Sequence, residues 1–290
     1  MHVLIAGCGW LGKAIGAALI ARGDRVTGAR SSPSSAAGLQ SIGIEPLIVD
    51  LSGPEGAGAL PGNLDAIVAC QSARSDGSEE YRRAYVDVNR ALLGAARDLG
   101  VRVFVYTGST GVFGQSDGGD VDETTTPEPS GGSGLILLEA EKLVIDGAVG
   151  GPVRSCVVRL SGLYGPDRAG ILDRVRSGAL ALGAGDGNWM NFCHREDAVA
   201  IVLAALDRGR PGAVYHASDA HPATRRDVVM WIAGRIGVEP AIVAGETTVA
   251  GMRRGANRRI HGERTRAELG VDLRYPSFRE GLSALLPAAS

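Results

Sequence analysis

Short apolar runs at residues 2–6, 25–29, 44–49, 65–69, 101–107 and 153–160 alternate with stretches at 10–22, 35–42, 78–98 and 135–147, where apolar residues recur at helical spacing. The runs are continuous and rich in Val and Ile, the pattern of strands covered by helices on both faces. Strand and helix in alternation predict an α/β fold built on a doubly wound parallel sheet of Rossmann type. Residues 116–134 break the rhythm: rich in Gly, Asp, Thr, Pro and Ser and without periodicity, they read as a long mobile loop. Beyond Tyr164-Gly165-Pro166 the pattern loosens, with helices expected near 169–180, 196–207 and 224–236. We therefore expect residues 1–165 to form the Rossmann domain, with a segment at about 190–217 returning to it. Residues 166–290 then form a smaller cap that closes a cleft over the carboxyl ends of the strands.

The first strand runs directly into Gly7-Cys8-Gly9-Trp10-Leu11-Gly12. In that spacing Gly7 permits the tight strand-to-helix turn, Gly9 lets backbone approach a pyrophosphate, and Gly12 lets the new helix lie close on its strand. The helix N-terminus, with unpaired amides at Trp10 and Leu11, favours an anion without any basic side chain. An amphipathic helix (Leu11, Ile15, Leu19, Ile20) and a second strand follow, the context a dinucleotide-binding turn requires.

Composition narrows the surroundings. The 290 residues suffice for a full core, and a net charge of −2 offers no general attraction for nucleic acid or an anionic membrane. No apolar run approaches the ~20 residues of a membrane span, and no basic segment with an apolar signal core opens the chain, so we expect a cytoplasmic protein. Cys8, Cys70, Cys156 and Cys193 are scattered with no metal-ligand spacing and read as buried free thiols. Lys13 and Lys142 are the only lysines among 30 basic residues, so an arginine carries less information here than usual.

Several segments in order resemble the extended short-chain dehydrogenase/reductase family, in its epimerase/dehydratase branch. They are residues 7–12; Asp87-Val88-Asn89 leading into Leu92, Leu93 and Ala95-Ala96; Val105-Tyr106-Thr107-Gly108-Ser109-Thr110-Gly111-Val112-Phe113-Gly114; residues 159–166; and residues 191–197. The tail from Glu268-Leu269-Gly270 through Tyr275-Pro276-Ser277 to Gly281-Leu282 is similar to it as well. The resemblance implies a nicotinamide dinucleotide cofactor, a small-molecule substrate held in the cap and, as a default, a homodimer paired through the helices at 78–98 and 135–147.

NAD-binding relatives place an acidic residue about 20 positions past the glycines, where it accepts from the ribose hydroxyls. Here that stretch reads Gly28-Ala29-Arg30-Ser31-Ser32, with donors and no carboxylate, so NADP(H) is expected in preference to NAD(H). By resemblance Asp50 contacts adenine, unless it is a solvated loop residue. Gln71, Ser72 and Ala73 pass beside the nicotinamide ribose together with Thr107, and Asn89 is architectural.

The family's chemistry uses a Tyr-x-x-x-Lys pair on the helix after the fifth strand, the tyrosine shuttling the proton and the lysine lowering its pKa. Aligning Leu138-Glu139-Ala140-Glu141 with the segment behind that pair puts Ser133 at the tyrosine position and Leu137 at the lysine position. The chain has no tyrosine between Tyr106 and Tyr164 to restore it. Ser133 could at most position a substrate or a water. Ser109 falls where the family's carbonyl-polarising serine sits, beside Thr110; its alternative is a strand-end hydroxyl satisfying loop backbone. Candidate proton carriers are Tyr164 and His194, both otherwise packed scaffold residues, and more remotely Asp117 and Glu123 in the loop. Asn191 and the cluster Arg253, Arg254, Arg258 and Arg259 fall where extended relatives hold anionic substrates, with Arg254 the leading candidate and a solvated arginine face the alternative. Two readings follow: an NADP(H)-dependent oxidoreductase or epimerase with a non-standard proton donor, acting on a small carbonyl or hydroxyl compound or a nucleotide sugar, or a non-catalytic NADP(H)-binding sensor or scaffold.

Overall fold

A computed structural model describes residues 1–53, 55–75, 77–149, 151–246 and 256–286. Seven parallel strands form the central sheet: β1 (His2–Ala6), β2 (Arg25–Arg30), β3 (Glu45–Ile48), β4 (Ala66–Ala69), β5 (Val103–Ser109), β6 (Arg154–Leu160) and β7 (Val214–Ala217). Their spatial order is β3-β2-β1-β4-β5-β6-β7. The order reverses between β1 and β4, and there a crevice opens at the carboxyl ends of the strands.

The pleat assigns each strand residue to one of two cores. Val3, Ile5, Val26, Val68, Val105 and Val158 face helix α1 (Trp10–Ala21), which contributes Leu11, Ile15 and Leu19. Leu4, Ala6, Ile67, Ala69, Phe104, Tyr106 and Val157 face the other side, against α2 (Val88–Asp98) and α3 (Gly132–Ala148) through Leu92, Leu93, Ile136, Ala140 and Val144. Both faces of β1 and β4 are thus buried, which is why those strands read as unbroken apolar runs. Each fully buried Leu or Ile contributes about 1.5–3 kcal/mol.

Further helices are α4 (Gly170–Arg176), α5 (Arg195–Arg208), α6 (Arg225–Ile236), α7 (Glu263–Leu269) and α8 (Phe278–Ser283). The chain leaves the sheet after β6 and comes back: α5 packs in the α1 core through Ala198, Ile201, Val202 and Leu206, and β7 then forms the sheet edge. A third cluster unites Leu172 and Val175 of α4, Val228, Val229 and Ile232 of α6, and Phe278 and Leu282 of α8 around Tyr164 and Phe192.

Two expectations are corrected. The helix expected at 35–42 is a single turn, Pro33–Ala36, and a 3-10 turn, Gln40–Ile42, separated where Gly38 takes φ 79°. The stretch after β5 is not a free loop. Asp120-Val121 pairs in parallel with Arg259-Ile260, the Gly118 amide donates to the Asn257 carbonyl at 2.9 Å, and Glu123 accepts from the amide and hydroxyl of Thr265 at 3.0 and 2.5 Å. Partners more than 130 residues away hold it, which no local pattern can reveal.

Candidate active site

At the β1–α1 junction Gly7 and Gly12 stand where a larger residue does not fit. Gly7 has φ 78°, and a Cβ there would lie 2.3 Å from the Gln71 Cα, so only glycine closes this turn. A Cβ on Gly12 would meet Ile5 at 2.9 Å. The first helical bond runs from the Lys13 amide to the Gly9 carbonyl, leaving the Trp10, Leu11 and Gly12 amides without helical partners. No acidic side chain stands in this first turn and no side chain caps it. The turn can therefore present backbone donors and the positive end of α1 to a diphosphate. Trp10 braces it, its Nε1 donating to the Pro166 carbonyl at 2.8 Å while the guanidinium carbons of Arg168 and Arg195 lie 5.2 and 5.1 Å from its ring centroid.

The end of β2 brings Arg30 beside that turn. Arg30 Nη1 lies 3.1 Å from the place a Gly9 Cβ would occupy, held there by a bond from Nε to the Ser35 carbonyl at 3.2 Å. Ser31 is bonded to Arg74, an arginine that sequence spacing did not single out because it arrives from the loop after β4. Ser32 is committed to a capping box with Ser35, which orients the chain after Arg30. Asp50 accepts from the amide and hydroxyl of Ser52 at 3.0 and 2.6 Å, and these bonds hold its carboxyl below the usual range.

Across the crevice the Gln71 backbone lies under Gly7, and its Nε2 donates to Asn89 Oδ1 at 3.2 Å. Gln71 Oε1 and Asn89 Nδ2 are buried without hydrogen-bond partners. Ser72 is exposed; the Ala73 amide donates to the Tyr85 hydroxyl at 3.4 Å. Thr107 is buried and donates to the Ala69 carbonyl, tying β5 to β4 beneath the crevice.

Ser109 ends β5 and caps the 3-10 turn Thr110–Val112, its oxygen accepting from the Gly111 amide at 3.0 Å. A hydroxyl so placed retains a donor hydrogen. Thr110 Oγ1 donates to the Leu160 carbonyl at 3.3 Å. Ser133 lies in the first turn of α3, partly exposed, and Leu137 one turn on is buried in a cluster with Val112, Phe113, Val121 and Ile260. The Leu137 side chain is thus enclosed by hydrocarbon.

The other candidates are built into the frame. Tyr164 is buried in the cap cluster with its hydroxyl packed on Gly281, and burial, reinforced by Asp219, pushes its phenol far above the ordinary value. His194 caps α5, its Nδ1 accepting from the Glu196 amide at 3.3 Å, with its ring centroid 3.9 Å from that of Tyr275. Burial lowers the His194 pKa. Asn191 donates to the Arg258 carbonyl and accepts from the Ile260 amide at 3.0 and 2.7 Å, fixing the strap at 258–260. Arg258 reaches back to the carbonyls of Gln115 and Thr110 at 3.2 and 3.1 Å. Asp117 accepts from the Gly119 amide at 3.0 Å. Arg253 and Arg254 lie outside the described residues.

Beneath Gly108 a buried ion pair braces the floor. Arg159 Nε and Nη2 donate to Glu141 at 3.0 and 2.9 Å, and a Cβ on Gly108 would lie 2.8 Å from Glu141 Oε1. Burial raises the Glu141 pKa, while the guanidinium opposes that rise.

The model of the NAD dependent epimerase/dehydratase family matches residues 3–218, from the first strand through the last strand of the sheet. The chain belongs to that family. Within reach of this family chain is Protein YeeZ of Escherichia coli strain K12, 29% identical, with 94% of this chain and 96% of that one covered. A 4-hydroxy-2-methyl-3-oxo-4-farnesyl-3,4-dihydroquinoline-1-oxide ketoreductase of Stigmatella aurantiaca is 27% identical over 81% of this chain and 73% of its own. Among solved structures, MoeE5 in complex with UDP-glucose and NAD superposes with a TM-score of 0.81 at 22% identity, covering 98% of this chain and 96% of that one, a likeness of fold.

Proposed function

We propose that this family member is an NADP(H)-dependent oxidoreductase acting at a carbonyl or hydroxyl carbon of a small molecule, without the family's Tyr-Lys pair. The observation that carries the cofactor assignment is the position of Arg30 over Gly9, with Arg74 on Ser31 and no carboxylate at the end of β2. A family name that speaks of NAD does not fix the second strand's end, where paired guanidinium groups suit a phosphate on the adenosine ribose. The unencumbered glycine turn fits the diphosphate. Bound there, the dinucleotide supplies or accepts hydride at its nicotinamide ring.

In this reading the Trp10 and Leu11 amides hold the diphosphate, Arg30, Ser31 and Arg74 hold the ribose phosphate, and Gln71 and Ala73 flank the nicotinamide ribose. Ser109 polarises the substrate oxygen. Thr110 and Asn191 act by shaping the substrate side of the cleft, and His194, Tyr164 and Ser133 serve the scaffold. The ketoreductase relative points to a ketone or aldehyde, and the MoeE5 fold neighbour to a nucleotide sugar as the larger alternative.

The test is loss of the reduced-nicotinamide absorbance with a panel of aldehydes, ketones and nucleotide sugars, for the natural chain and Ser109→Ala. Turnover reduced on the order of 10²-fold in the variant supports the reading. NADPH binding with no turnover of any panel member favours a sensor.

A further inference from the structure

We propose that Tyr85 supplies the proton-transferring hydroxyl that positions 133 and 137 lack, from a helix other than the family's usual one; this rests on the function proposed above. Tyr85 belongs to a π-helical segment, Arg82–Asp87, set between the turn Ser78–Tyr81 and α2. Such single-turn widenings inside helices are frequent at functional sites, because they turn one side chain off the regular helical face. This segment carries the Tyr85 phenol, which meets the loop after β4 on one side and the Val112 cluster on the other.

On one side its hydroxyl accepts from the Ala73 amide at 3.4 Å, in the loop that follows β4. On the other its ring packs against the Val112, Phe113 and Leu137 cluster, next to the turn that Ser109 caps. Leu137, where the family would have its lysine, is therefore in the same cluster that supports the Tyr85 ring. The hydroxyl accepts one weak bond and is free to donate.

The groups around it are Tyr81 at the end of the preceding turn, with ring centroids 5.2 Å apart, and the buried Tyr106 phenol of β5, behind which Glu141 of α3 is paired to Arg159. Burial raises the Tyr85 pKa and Tyr81 adds to the rise, while the bond from the Ala73 amide opposes it. A phenol so placed stays protonated near neutral pH and serves as an acid in the reductive direction. In that step the C=O π bond opens. The carbon would form a C–H bond with hydride from the reduced dinucleotide, the oxygen an O–H bond with the Tyr85 proton, and the phenolate would take up one solvent proton to restore the phenol.

The experiment is NMR of the full chain isotope-labelled at tyrosine Cζ. The chain has six tyrosines, and the Tyr85 signal is the one missing from a folded Tyr85→Phe variant. Binding of NADPH and NADP+ is established first by nicotinamide fluorescence and its competition. With NADP+ bound, the positive ring lowers the Tyr85 ionisation midpoint by about one to two pH units relative to NADPH. At neutral pH its signal moves most on NADP+ addition, while that of Tyr215, on the edge strand, stays in place. If both dinucleotides bind and the Tyr85 signal and midpoint are the same with either, the inference is overturned. If neither binds, the function proposed above fails first and takes the inference with it.

Discussion

At the β1–α1 junction glycines keep backbone amides open, whereas around α3 side chains pack together. Gly7, Gly9 and Gly12 leave amides uncovered beside Arg30, and any added Cβ at Gly7 or Gly12 collides with a neighbouring strand or loop. Around α3 Leu137 is closed into hydrocarbon with Val112, Phe113, Val121 and Ile260, and the loop beside it is strapped by residues 257–261. The first region is shaped for a ligand's charge; the second is shaped for its own stability. On the function proposed above, cofactor recognition belongs to the first region and proton supply is separable from it, so one wall can change while the other is kept.

The sharpest way to break the comparison is to fill the open wall. Gly7→Val forces a β-branched residue to φ 78° with its Cβ 2.3 Å from Gln71 Cα. We expect a loss of more than about 4 kcal/mol of stability, read by denaturant unfolding, and no measurable dinucleotide binding. The packed wall responds differently. Leu137→Lys, which restores the family residue type, loses roughly 3 kcal/mol because an ammonium replaces a buried isobutyl group, while NADPH affinity stays within about threefold. A gain in turnover would contradict the packed reading of this wall.

A smaller effect lies in the cap. Asp219 is buried, and desolvation, aided by Asp197 and Glu280, raises its pKa from 3.8 to about 8. The folded state then holds a proton that the unfolded chain releases near pH 4. This contribution is complete below about pH 4 and is lost as pH rises toward 8. Asp219→Asn removes that dependence, so its unfolding free energy declines roughly 2–3 kcal/mol less than that of the natural chain between pH 5 and 8, measured by urea unfolding across the range. Parallel curves would show that Asp219 is ionised throughout.

Much of this was legible in the chain because it is local. The strand runs, the glycine turn and the donors at Arg30 and Ser31 are set by neighbours within a few residues, and the fold follows from their alternation. What escaped was set at long range. Arg74 meets Ser31 only when β4 pairs beside β1, and the polar stretch after β5 is ordered because Asn257, Arg259 and Thr265 return to it. The π-helical turn at Tyr85 leaves no periodic trace longer than itself. Tyr164 and His194 stand out by residue type, and the sequence does not reveal the packing of Tyr164 on Gly281 or the bond from the Glu196 amide to His194.

The central claim is that the open wall holds a dinucleotide by its diphosphate and reads an added ribose phosphate with Arg30. Equilibrium binding of NADPH and NADH, compared between the natural chain and Arg30→Asp, tests it most directly. We expect NADPH to bind at least about tenfold tighter than NADH, and the variant to lose NADPH affinity by roughly 10–100-fold with NADH little changed, as expected for losing a charge-assisted contact to phosphate. Equal affinities in the natural chain, or equal losses in the variant, would contradict it.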